Sequence, residues 1–262
     1  MKKISVSSCK GGSAKTMTIV STAGILAERG YKVLIIDIDP QANATNNLGI
    51  DEMKDNILTV KEIYENPKCD ARTVILKNPI EKLPTLDLIP STVMLTATEL
   101  KINSQAGREF ILRSFFKHNS ETLNDYDYIF FDTNPYMLTI NQNAYVISDY
   151  ILLTTSCGMN NLKGVELFQG LWENISDKLD VENKVNGILV TKYDQRIKLH
   201  KEFVDYLRDR EDFRDLLFDT VIPSNSKLEE TEVEAKPINI YDKSSKGYVA
   251  YNNFVEEFIQ KI

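Results

Sequence analysis

Residues 3–30 constrain the fold more than any other stretch of the chain. The apolar run KISVSS leads through Cys9 and Lys10 into four consecutive small residues, Gly11, Gly12, Ser13 and Ala14. Lys15 and Thr16 then open a helical pattern that Gly30 stops. A strand that ends in a small-residue loop at a helix start aims backbone N–H groups at an anion, and the helix dipole favours negative charge there. A lysine closing such a loop neutralises phosphate charge, and the hydroxyl beside it can ligate Mg2+. Against the strict G-x-x-x-x-G-K-[ST] template the loop departs where Cys9 and Ala14 stand for glycine. No G-x-G-x-x-G is present, so a dinucleotide fingerprint is not offered.

Further apolar runs alternate with helical patterns. Strands are expected at 3–8, 32–38, 86–89, 128–132, 150–155, 185–191 and 218–222, and helices at 15–29, 107–117, 139–146, 162–176 and 200–211. Continuous apolar strands separated by helices are the pattern of a doubly wound, mostly parallel α/β sheet. No repeat or linker interrupts it, so residues 1–262 are read as one domain, with helices and loops over 47–84 on the sheet rim.

Two acidic strand ends accompany the loop. In IIDIDPQANAT, Asp37 and Asp39 alternate with Ile38, which turns both carboxylates to one side of the strand end. Paired acids beside a magnesium nucleotide can hold metal-bound water and orient the attacking water. In YDYIFFDTNP, a bulky apolar run ends in Asp132, which acts on Mg2+ through a water ligand if this is a Walker B strand.

The net charge of −7 argues against a chain coated in basic residues for nucleic acid, while leaving room for a local patch. Cys9, Cys69 and Cys157 are odd in number and far apart, which suits a reducing compartment and gives no metal-ligand spacing. His118 and His200 are isolated from acids and thiols, and Trp172, Phe115-Phe116 and Phe130-Phe131 read as core. With no leader pattern and only short apolar runs, a cytoplasmic protein is expected.

The run Lys10 to Thr16 resembles the deviant Walker A motif, K-G-G-x-x-K-T, of the ParA/MinD class of P-loop ATPases, and the likeness extends nearly end to end. The Asp37–Thr45 string is similar to D-x-D-P-Q-x-N-x-T, and ILVTKYDQRIKL, IPSNSKLEE and AKPINIYDKSSKGYVAY resemble later ParA/Soj segments. The resemblance implies ATP and Mg2+ as cofactors and an ATP-dependent homodimer. Lys15 would neutralise phosphate and Lys10 would reach the partner's nucleotide. Thr16, Asp132 and Asp37 would serve the metal, the two acids through water, and Asp39 would activate water. Thr191, Pro223 and Asp242 would line the adenine pocket. The chain departs from the family at Ala14, which suits a backbone with negative φ, at Met17, where a hydroxyl is usual, and at Asn134, where a proline is usual.

Among the family's branches the short Soj-like ParA fits best. The C-terminal NNFVEEFIQKI carries Glu256 and Glu257 against Lys261, a poor attraction for anionic lipid, and Phe254, Phe258 and Ile259 suit packing on the domain. The resemblance then implies weak ATP hydrolysis, nucleoid association, a ParB-type centromere-binding partner, and nonspecific DNA contacts from Arg196, Lys198, Lys227 and Lys246. Lys201 and Lys243 offset the loss of an arginine where Ser224 stands. The alternatives are a nucleotide-gated scaffold that barely hydrolyses ATP, or a positioning ATPase of this fold acting on a protein or membrane cargo.

Overall fold

A computed structural model describes residues 1–8, 10–55 and 57–262. Strands β1 (Lys2–Ser7), β2 (Val33–Asp37), β3 (Leu86–Ile89), β4 (Tyr128–Asp132), β5 (Tyr150–Ser156) and β6 (Val185–Thr191) form one parallel sheet in the order β3-β2-β4-β1-β5-β6. The doubly wound α/β architecture expected from the sequence is the one found.

Neighbouring side chains along a strand enter different cores, as the two-residue pleat requires. Leu34 and Ile36 join Ile129 and Phe131 on one face, while Val33 and Ile35 join Tyr128 and Phe130 on the other. Helices cover both faces, which is why the strands read as unbroken apolar runs. The helix Lys15–Glu28 is buried on nearly every side because it lies between the sheet and the final helix, Lys246–Lys261. It ends where Gly30 takes φ 91°, a left-handed turn that delivers the chain into β2.

The final helix docks through aromatic rings. Phe254 and Phe258 are fully buried, with Phe254 4.8 Å from Phe218 and Phe258 6.2 Å from Phe130 between ring centres. Ile259 is partly buried against the same core. Among the described residues, no helix is long and apolar enough to cross a membrane.

One expected strand is not formed. The Phe218 N–H donates to Ile188 O at 3.0 Å and the Ile222 N–H to Val190 O at 2.9 Å. Between them, the N–H groups of Asp219 and Thr220 donate to the Glu257 carboxylate at 2.8 and 3.0 Å. The carboxylate takes the donors from the middle of the segment, leaving only isolated bridges beside β6. Over 47–84 the chain forms short helices, of which Val60–Glu65 starts with a Thr59/Glu62 capping box.

Gly24 sets how closely the first helix meets the C-terminal third. A Cβ there would stand 2.5 Å from Asn239 Oδ1 and 2.7 Å from Pro237 Cβ. Gly24→Ala should therefore lose about 1–3 kcal/mol of stability despite alanine's better helix propensity, because overpacking outweighs propensity. Urea unfolding measures it, and an unchanged or raised midpoint would refute the close fit.

Candidate functional site

Strands β2, β4 and β1 are neighbours, so the three motifs end side by side at the carboxyl edge of the sheet. Parallel register sets both Val6 and Asp37 opposite Asp132. The crossover from β1 runs one way, to β2, and the crossover from its neighbour β4 runs the other way, to β5, and ligands of open α/β sheets sit at such a switch point. A cleft of about 660 Å³ opens at this edge, with residues Gly11 to Met17 along one side and Thr191, Pro223 and Tyr251 among those opposite.

The loop is wound by two left-handed residues. Gly12 has φ 76° and Ala14 φ 61°, so the negative φ expected at Ala14 is not adopted. Left-handed backbone costs an L-residue about 1–2 kcal/mol. In exchange the Ala14 carbonyl accepts from the Thr18 N–H at 2.9 Å and starts the helix. Ser13 turns inward, its hydroxyl 2.7 Å from Ser8 Oγ and 3.1 Å from Thr154 Oγ1. Lys15 is buried, and its Nζ donates to Ser8 Oγ at 3.2 Å. Lys10 is exposed at the loop surface, and its carbonyl accepts from Ser8 Oγ at 2.7 Å and from Ser13 Oγ at 3.3 Å. Cys9 lies outside the described residues.

Three carboxylates have different surroundings. Asp132 is fully buried; its Oδ2 accepts from the Thr16 hydroxyl at 2.8 Å, while Oδ1 has no hydrogen-bond partner among the described residues. Burial pushes its pKa up to about 7, against the opposing pull of the Thr16 hydroxyl and the Lys15 charge. Asp37 is withdrawn from the cleft it was expected to serve. Its Oδ2 accepts from Thr45 N and Thr45 Oγ1 at 2.9 and 2.8 Å, and its Oδ1 from Asp39 N at 3.1 Å. Burial first, and the Asp132 charge second, raise the Asp37 carboxyl well above its usual range. Asp39 does line the cleft. Its Oδ1 caps the Gln41 N–H at 2.9 Å, and burial raises its pKa while that bond and Lys15 oppose the rise.

The remaining expected residues separate. Met17 lines the cleft, its sulfur 3.5 Å from Thr231 Oγ1 and 3.6 Å from Ser21 Oγ. Thr191 Oγ1 donates to Ser13 O at 3.1 Å, joining the far wall to the loop. Asp242, expected on that wall, instead accepts from the Ser244 N–H and hydroxyl at 2.9 and 2.6 Å and does not line the cleft. Sequence reasoning passed over Thr45, although it stands in the quoted acidic string, and Ser91. Ser91 Oγ donates to Asp39 O at 2.7 Å and its N–H to Thr45 Oγ1 at 2.9 Å, fixing both aspartates from the end of β3. No local pattern marks Ser91.

The basic residues expected at DNA carry acidic neighbours. Arg196 grips Asp194 with Nε and Nη2 at 2.9 and 2.6 Å, Lys198 is 3.1 Å from Glu202, and Lys227 is 2.6 Å from Glu230. Lys246 is exposed at the start of the final helix. Such solvent-screened pairs exchange readily for other partners. His200 is structural: its Nδ1 accepts the Asp194 N–H at 2.9 Å, so the same loop is held from behind.

Comparison with known proteins matches this geometry. The sequence profile of a family described as an AAA domain matches residues 1–187. The sporulation initiation inhibitor protein Soj of Bacillus subtilis is 32% identical over 256 residues, covering 98% of this chain and 97% of that protein. The chromosome partitioning protein ParA of Myxococcus xanthus is 32% identical over 258 residues, covering 98% of this chain and 88% of that protein. The crystal structure of cobyrinic acid a,c-diamide synthase from Mycobacterium smegmatis, with a bound ATP analogue and magnesium, has a TM-score of 0.80 at 24% identity, covering 99% of this chain and 95% of that one. At that identity the structural match speaks to the fold alone. The sequence matches decide the lineage: the chain belongs to the ParA/Soj partition group of the deviant Walker A P-loop ATPase family.

Proposed function

We propose that the chain is a Mg2+-dependent ATPase of DNA segregation, weakly active alone, that dimerises around ATP, binds DNA nonspecifically in that state and is reset by hydrolysis stimulated by a ParB-type partner. The observation that carries the reading is the division of labour between two lysines in one loop. Lys15 is buried against the loop's own serine, whereas Lys10 is exposed at its rim, where a second subunit's nucleotide would meet it. A positive charge presented outward from a phosphate loop has little use within one subunit.

The donor set fits Mg2+. Asp132 Oδ1 is buried and lacks a partner among the described residues, beside the Thr16 hydroxyl. A cation with its water shell would satisfy that oxygen, with Thr16 as direct ligand and Asp132 through water; it would neutralise phosphate charge as the bond to the γ-phosphate breaks. Asp37, with both oxygens occupied by Thr45 and Asp39, acts by holding the strand end rather than by meeting the metal. Asp39 orients the attacking water from the cleft wall.

Binding of random-sequence duplex DNA, measured without nucleotide and with ADP, ATP or a non-hydrolysable ATP analogue, tests the DNA step. Binding should require the triphosphate and fall steeply with salt, because phosphate contacts release counterions. Dimerisation with ATP but no DNA binding at low salt would favour the alternative of a positioning ATPase with a protein or membrane cargo, which the paired Arg196, Lys198 and Lys227 make the leading rival.

Lys10→Ala should retain nucleotide binding and lose cooperative turnover. Undiminished turnover as a function of protein concentration would remove Lys10 from the partner's site.

The buried carboxylate sets a pH dependence in nucleotide-free protein. A folded pKa near 7 against an ordinary 3.8 means the folded state holds the extra proton between those values, so stability falls as pH rises across that window. Asp132→Asn removes the penalty and should stabilise the protein at pH 8 by on the order of 2–4 kcal/mol, with the gain vanishing near pH 4. Urea midpoints at both pH values measure it, and a gain independent of pH would rule out the electrostatic cause.

A further inference from the structure

The segment that follows Asp132 is held from inside by one helical turn. Thr133 Oγ1 donates to Val6 O at 2.8 Å and ties the start of the segment to β1. Beyond it, the amide nitrogen of Asn141 donates to Asn134 O at 2.8 Å, to Asn134 Oδ1 at 3.1 Å and to Tyr136 O. Gln142 Nε2 donates to Met137 O at 3.1 Å, and the Tyr136 N–H donates to Asn134 Oδ1 at 2.9 Å. Carbonyls 134, 136 and 137 are thereby gathered onto the helix Thr139–Ile147, while Pro135 lines the nucleotide cleft. The helix is itself fixed at its start. The Ile140 N–H donates to Glu99 Oε1 at 3.2 Å, and Thr139 Oγ1 donates to Asn103 Oδ1 at 2.7 Å.

Asn141 is fully buried, and its own Oδ1 has no hydrogen-bond partner among the described residues. A buried amide that leaves its oxygen unpaired among the described residues and aims its nitrogen at three acceptors is poorly explained by packing alone, because a leucine of the same branching would fill the site without a buried amide oxygen of its own. Its donors are what the site uses. Asn134 stands where the resemblance leads one to expect a proline, and a proline would restrict the chain there covalently. We propose that Asn141, acting through Asn134, is a positioning residue for ATP hydrolysis: the pair clamps residues 134–137 by hydrogen bonds and so sets the cleft wall at Pro135. This rests on the ATPase reading above.

The experiment compares wild type, Asn141→Leu and the double variant Asn134→Pro/Asn141→Leu as full chains. Asn141→Leu should keep ATP affinity within about threefold while turnover falls at least about tenfold, because the loss lies in positioning rather than binding. Amide hydrogen exchange of residues 133–138 in nucleotide-free protein should rise about tenfold in the same variant. Adding Asn134→Pro should restore most of the turnover, since the ring supplies the constraint the amide no longer gives. A purely structural asparagine would not be rescued by a proline seven positions away. Turnover and exchange both unchanged in Asn141→Leu, or lost turnover that the proline does not recover, would overturn the clamp. If Asn141→Leu does not fold, Asn134→Ala removes the side-chain acceptor alone and is read the same way. If wild type shows no turnover, the ATPase reading fails, and the exchange measurement still decides whether the clamp exists.

Discussion

The hydrogen bond from Thr16 to the buried carboxylate of Asp132 joins the first turn of the first helix to the end of the central strand, and the mouth of the sheet is organised around it. A carboxylate with no exposed surface is costly to keep charged, and this one has a second aspartate, Asp37, opposite it in register. The sheet tolerates the pair because each has its own donors: Thr16 for Asp132, and Thr45 with the Asp39 N–H for Asp37. Lys15 adds its charge from the loop above. Without a cation the arrangement is strained electrostatically, and the proposed Mg2+ would relieve that strain.

Much of this was legible in order but not in direction. Buried parallel strands announce themselves as apolar runs, so six of the seven expected strands appear as strands. The seventh fails because a side chain far along the chain, Glu257, takes the donors of Asp219 and Thr220, and nothing in the local string carries that information. Alternation correctly sets Asp37 and Asp39 at one strand end, yet it cannot say that Thr45 will turn Asp37 away from the cleft. At Ala14 the negative φ expected of an alanine gives way to a left-handed one, which follows from the helix start it caps. Asp242 shows the opposite failure: a motif position carried over by resemblance lands on a serine turn, because Ser244 two residues on competes for its carboxylate.

The basic surface has a similar lesson. Arg196, Lys198 and Lys227 each sit beside an acid of the same chain, and the net charge is −7. Single exposed charges of this kind make weak fields unless several converge. Bringing two subunits together doubles every candidate at once, so a phosphate backbone would meet a patch that one chain does not possess. In the proposed cycle, dependence of DNA binding on dimerisation would follow from how sparsely one subunit is charged, and a strongly basic monomer would lose that control.

The departures from the family's pattern are each absorbed by a neighbour rather than left as defects. Met17 offers no hydroxyl to the cleft, but its sulfur packs 3.5 Å from the Thr231 hydroxyl, which donates to Leu228 O at 2.6 Å, on the helix Ser226–Glu234 that starts just beyond Pro223 on the opposite wall. The two walls thus touch at a thioether and are hydrogen-bonded through the Thr191 hydroxyl on Ser13 O. A flexible, polarisable side chain at that junction lets the walls shift against one another more easily than a short hydroxyl would. Across the cleft, the amide contacts of Asn134 and Asn141 hold the loop that Pro135 contributes. One wall thus meets the loop through a thioether contact and a single hydroxyl, and the other is held by several amide hydrogen bonds.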